Sequence, residues 1–165
     1  MGGTLEGQTG MSWETLPILV AEDDDNDYFL LDRAIKKAGI SNPVHRVTDG
    51  QEVVNYLCGT SPYSDRMAYP FPHLLLLDLK LPIKHGFDVL KWIRAREATK
   101  ALLIIIHSSS KQGDDIHKSY ELGANGYVPK ATSTDDLIEA VAAVKAYWLK
   151  VNCGSPLIGD KLRSN

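Results

Sequence analysis

Four stretches of this chain carry side chains suited to chemistry, and each comes at or just after the end of a short apolar run. Glu22-Asp23-Asp24-Asp25 follows Leu16–Ala21, and Asp78 follows Leu74-Leu75-Leu76-Leu77. Ser108 comes after Leu102–Ile106, and Lys130 after Gly126-Tyr127-Val128. Adjacent carboxylates repel one another, so an ordered site at 22–25 needs a cation or a ring of donors. Glu22, Asp23 and Asp78 together would make a hard oxygen site for a divalent cation of the magnesium kind. A carboxylate can also attack phosphorus to form an acyl phosphate. Lys130 is then a compact positive charge for one phosphoryl oxygen, and the Ser108 hydroxyl a neutral donor to another. Each group alone has a plainer reading. Asp78 could be a helix cap, the acidic run a solvated turn opening a helix, Lys130 a surface lysine and Ser108 a loop hydroxyl. It is the set, one group per strand end, that argues for a site.

The elements that must position them follow from periodicity. The leucine run reads as a strand buried on both faces, because Pro70, Pro72 and Pro82 leave no room for a helix. Residues 16–21, 43–47, 102–106 and 126–128 read as further strands. Between them, apolar residues at helical spacing predict helices over 26–38 (closed by Gly39), from the Asp49–Glu52 capping box to 56 or 57, and from Gly86 to about 96. A fourth helix runs from a Ser110 cap to 122, and a fifth follows the Ser133 cap with Leu137, Val141, Val144 and Trp148 as its stripe. Residues 59–73 form a long loop. Strictly alternating strands and helices imply an α/β fold: a five-stranded parallel sheet in the flavodoxin-like order 2-1-3-4-5, with helices on both faces. In that order strands 1 and 3 are neighbours, and Glu22, Asp23 and Asp78 share one rim.

Composition narrows the classes. At 165 residues the chain is long enough for one domain, assigned to 16–151, and its 44% hydrophobic and 24% charged content is that of a globular protein. A net charge of −3 gives no electrostatic reason for nucleic acid or an anionic membrane as partner. No apolar run reaches the roughly 20 residues that span a bilayer, and no secretory signal is evident. Cys58 and Cys153 have no metal-ligand spacing and read as reduced thiols of a cytoplasmic protein. Residues 1–15 read as a patternless leader, disordered or foreign to the natural protein, with Met11 a candidate start. Residues 152–165 read as a tail, too short for an output domain.

Taken together, these residues resemble the receiver domains of two-component response regulators, over residues 16–150. The resemblance rests on the acidic pair Glu22-Asp23, the Asp78-x-x-x-Pro82 pattern, Gly86, Ser108 with the small Ser109 after it, Tyr127 and Lys130. The Asn42-Pro43 entry, the long 63–72 loop and the Leu-Leu-Asp-Leu-Lys-Leu-Pro run are similar to single-domain receivers that partner phytochrome-type histidine kinases. The resemblance implies that Asp78 accepts phosphoryl from a kinase histidine. It implies that Asp23, Asp78 and the Lys80 carbonyl bind Mg2+, with Glu22 acting through a metal-bound water. It further implies that Ser108 and Tyr127 couple phosphorylation to the face of helix 4, strand 5 and helix 5. Such a protein is a phosphoacceptor that assists its own phosphorylation and dephosphorylation rather than an enzyme. Two departures stand out: Ala131 replaces the proline usual after the lysine, which predicts a trans Lys130–Ala131 peptide, and His107 occupies a position that is usually apolar. With no output domain in view, the same helix 4–strand 5–helix 5 face is expected to form a homodimer. The rival readings are a flavin-binding protein, whose phosphate four acids would repel, an aspartyl phosphatase, which would carry a second acid where Lys80 stands, and a non-phosphorylated pseudo-receiver serving as an interaction module.

Overall fold

The computed structural model describes residues 12–153, so most of the expected leader and tail lie outside the described residues. Five strands, β1 (Ile18–Ala21), β2 (Val44–Val47), β3 (Leu74–Leu77), β4 (Leu103–Ser108) and β5 (Gly126–Pro129), form one parallel sheet in the order β2-β1-β3-β4-β5. The helices are α1 (Asp25–Lys37), α2 (Gly50–Cys58), α3 (Gly86–Arg94), α4 (Gly113–Glu121) and α5 (Thr134–Val144).

The pleat divides the leucine run between two cores. Leu75 and Leu77 join Leu19, Ile104 and Ile106 on the side of α2 and α3, while Leu74 and Leu76 join Ile18, Val20 and Ile105 on the side of α1 and α5. None of the four leucines is more than 8% exposed; burying each contributes on the order of 1.5–3 kcal/mol. The run is anchored at both ends by main-chain bonds to the first strand: His73 N–H to Pro17 O at 2.8 Å and Asp78 N–H to Ala21 O at 3.1 Å.

Capping follows the sequence at three helices. Asp24, Asp49 and Ser133 accept main-chain bonds from Asp27, Glu52 and Asp136. Glu52 reaches back past the cap, accepting from the Thr48 N–H at 2.8 Å and the Thr48 hydroxyl at 3.0 Å. At α4 the Ser110 cap expected from sequence is not made. The helix begins three residues later behind Gln112, which makes no side-chain cap, because the Ser110 hydroxyl donates to Asp115 at 2.5 Å instead.

Three further differences have local causes. β4 runs two residues past Ile106, through His107 and Ser108, because Lys130 N–H bonds Ser108 O at 2.8 Å and extends the ladder. α5 continues as a π-helical segment over Lys145–Val151, which brings Leu149 into the α1/α5 core. Trp13–Thr15, inside the stretch read as leader, form a 3₁₀ turn whose Trp13 packs on that same core.

Residues 59–73 are folded rather than open. The Arg66 guanidinium donates to Tyr56 O and Leu57 O, closing the end of α2, and to Tyr69 O. Ser61–Pro62 is the cis peptide among the described residues, and Lys130–Ala131 is trans, as expected. No helix among them is long and apolar enough to cross a membrane.

Candidate functional site

The carboxyl ends of β1 and β3 lie side by side, with Ala21 opposite Leu77, so the residues that follow meet at the rim. One ligand oxygen from each of Glu22, Asp23 and Asp78 falls within a 4.8 Å cluster. Glu22 and Asp78 are buried and Asp23 is exposed, so the cluster opens to solvent on one side.

Lys130 enters from β5. Its Nζ lies 2.5 Å from Glu22 Oε1, 2.8 Å from Asp27 Oδ2 and 2.9 Å from Asp78 Oδ2. Burial would lower the ammonium pKa, but hydrogen bonds to Asp27, Glu22 and Asp78 outweigh it and raise it, so the lysine is charged. At Glu22 burial prevails. Burial pushes its carboxyl up to about 7, more than Lys130 pulls it down, and Asp78 adds to the rise. One ammonium therefore does not neutralise the cluster. A hard divalent cation fits this all-oxygen donor set.

Ser108, fully buried at the end of β4, accepts the Ser110 N–H at 3.3 Å through its hydroxyl. Ser109 is exposed. Lys80 N–H approaches Asp78 Oδ1 at 3.4 Å, and the Lys80 side chain points to solvent. Tyr127 is half-buried, its hydroxyl donating to Ser110 O at 2.7 Å. Gly86 lets α3 begin directly beneath the site: its N–H bonds Leu79 O at 2.8 Å. A Cβ there would sit 2.6 Å from Asp78 O.

The structure thus gathers Glu22, Asp23, Asp78 and Lys130 in one cluster, with Ser108 joined to the Lys130 main chain and Tyr127 one loop away. Sequence reasoning missed two neighbours. Asp27 is the third acid on Lys130, and its signal was its place in the first turn of α1. Arg46, on β2, donates to Glu22 O at 3.0 Å and pairs with Asp25 at 2.8 Å. His107 lines an apolar cavity with Leu31, Leu76, Val128 and Leu137, its Nε2 without a hydrogen-bond partner.

A parallel 2-1-3-4-5 sheet with carboxylates and a lysine gathered at its carboxyl rim defines the receiver class of signalling domains. The chain belongs to the response regulator receiver domain family, whose model matches residues 18–142. Response regulator Rcp1 of Synechocystis sp. is 32% identical over 85% of this chain and 95% of its own length. Its Mn2+-bound structure matches 85% of this chain and 99% of that one, with a TM-score of 0.76. Response regulator RPA3017, in red light signalling of R. palustris, is 31% identical with a TM-score of 0.82, covering 85% of this chain and 98% of its own. The phosphorylated cyanobacterial phytochrome response regulator RcpA is likewise 31% identical with a TM-score of 0.78, at 85% and 98% coverage. The expected fold and family are therefore found. These relatives are response regulators rather than conventional enzymes.

Proposed function

We propose that this receiver accepts a phosphoryl group on Asp78 from the phosphohistidine of a histidine kinase and passes the signal on through a protein surface. The observation that carries the reading is the convergence of Glu22, Asp23 and Asp78 on Lys130 at one rim. An Asp78 oxygen forms the new P–O bond as the P–N bond of the donor breaks and the imidazole leaves with its electron pair. Asp23, Asp78 and the Lys80 carbonyl, with Glu22 beside them, would hold Mg2+, which would supply positive charge for the phosphoryl oxygens. Lys130 exchanges a carboxylate partner for a phosphoryl oxygen, the Ser108 hydroxyl donates to another, and Ser109 leaves space beside them.

Coupling to the surface runs along β4 and β5. A Ser108 hydroxyl drawn toward phosphoryl no longer accepts from Ser110, and Ser110 O is where Tyr127 is held. The α4–β5–α5 face would respond. That face and its extension expose Tyr120 (50%), Tyr147 (54%) and Val151 (68%), which suits a phosphorylation-sensitive homodimer. The names of the relatives, phytochrome and red-light response regulators, make a phytochrome-type kinase the fitting donor.

Incubation with acetyl phosphate, read by intact mass, tests the reading. The wild type should gain one phosphoryl group only with Mg2+, and Asp78→Asn should gain none. Equal incorporation in both would refute Asp78 as acceptor, and none in either would favour a non-phosphorylated interaction module. Sedimentation before and after phosphodonor treatment tests the dimer: a monomer at tens of micromolar in both states leaves only heterologous partners.

A further inference from the structure

We propose that Arg46 is a positioning residue of the cation site, holding the main chain of the acidic loop from behind so that Glu22 and Asp23 face Asp78. The inference rests on the reading of Glu22, Asp23 and Asp78 as a divalent cation site. β2 places Arg46 opposite Val20, on the face covered by α1. From there its Nε donates to Glu22 O at 3.0 Å and its Nη2 to Asp23 O at 3.4 Å. The same Nη2 lies 2.8 Å from Asp25 Oδ1, and the guanidinium carbon stacks 4.5 Å from the centre of the Tyr28 ring. One planar group thereby fixes the carbonyls of two consecutive acidic residues and the start of α1.

Magnitudes rank these contacts. The Asp25 side chain is 92% exposed, and an ion pair with such a partner contributes little. The Arg46 side chain is only 21% exposed and packed over the Tyr28 ring, so its bonds to the two carbonyls define the geometry. The fork matters as well as the charge. A lysine ammonium is a point donor that cannot hold both carbonyls as a planar fork does.

Charge and geometry predict opposite signs, which makes the proposal decidable. As a bare positive charge beside a cation site, Arg46 would weaken cation binding, and its removal would tighten it. As a positioning group it strengthens binding, and its removal weakens it. Calorimetric titration of Mg2+ alone into the metal-free full chain distinguishes the two. Arg46→Ala and Arg46→Lys should each lose about tenfold or more in affinity, the usual scale for groups that orient metal ligands. Lysine should give no rescue. The amide resonances of Asp23 and Asp24 should move in Arg46→Lys without metal, while those of β5 stay in place. Unchanged or tighter binding in Arg46→Ala, or wild-type affinity in Arg46→Lys, would overturn the proposal. If Arg46→Ala does not fold, Arg46→Lys, which keeps the apolar stem and the charge, carries the test. Wild-type protein that takes up no Mg2+ would instead sink the site itself.

Discussion

Replacing His107 with leucine should stabilise the protein, and by more in acid than at neutral pH. His107 faces an apolar cavity between the sheet, α1 and α5, and its Nε2 has no partner. Burial, with the Lys130 charge adding to it, pulls its pKa from 6.5 down to about 4, against smaller opposing effects of Asp78 and Asp27. Above pH 6.5 the ring is neutral in both states, and leucine gains only the relief of an unpaired buried nitrogen, on the order of 1–3 kcal/mol. Between pH 6.5 and 4 the unfolded chain binds a proton that the folded chain refuses. Stability therefore rises with pH across that window and falls as the pH drops through it. At about 1.4 kcal/mol per pH unit, the wild type loses roughly 2 kcal/mol through His107 between pH 6.5 and 5. Urea denaturation of both proteins in chelator at pH 7.5 and pH 5 measures the gap, since carboxylates and other histidines are common to the pair. A gap that stays constant would refute the claim that the folded protein keeps His107 neutral. A less stable variant at both pH values would mean that the ring makes a bond that leucine lacks.

Two further outcomes follow from the site. Because burial holds the Glu22 carboxyl near 7, Mg2+ must displace a proton there in acid. Its affinity should fall about tenfold from pH 8 to pH 6, and Glu22→Gln should flatten that profile in calorimetric titrations; a wild-type affinity independent of pH would contradict the shift. Gly86→Ala would place a Cβ 2.6 Å from Asp78 O and 2.7 Å from Leu79 Cα, main-chain atoms that cannot rotate aside. It should cost roughly 1–3 kcal/mol by overpacking, and unchanged urea stability would mean that the start of α3 has slack.

The architecture was legible because each element carries its own signal. Buried strands appear as apolar runs, helices as stripes with caps, and alternation of the two restricts the topology. The rim was legible for the same reason: Glu22, Asp23, Asp78, Ser108 and Lys130 each stand at or just past the end of a strand, and strand order does the rest. What stayed hidden depends on partners remote in sequence. Asp27 and Lys130 are separated by 103 positions and meet only because β5 and the start of α1 share an edge of the site. Arg46 read as an ordinary strand residue until the acidic loop was laid against it. Ser110 looked like a helix cap because its type favours one, but Asp115 took its hydroxyl, a competition that propensity alone does not reveal.

The leucine run has an informational consequence. Four identical side chains carry no record of their own alignment: sliding β3 by two residues would present the same leucines to the same faces of the sheet. The residues that flank the repeat remove that degeneracy, because a two-residue slide would carry the Asp78 carboxylate into the buried sheet or set Pro72, which has no N–H, in the ladder. The middle of the strand supplies free energy and the ends supply the address. The depth at which Asp78 stands is therefore encoded in residues that contribute little to the hydrophobic core, and drift within the leucines can leave it untouched.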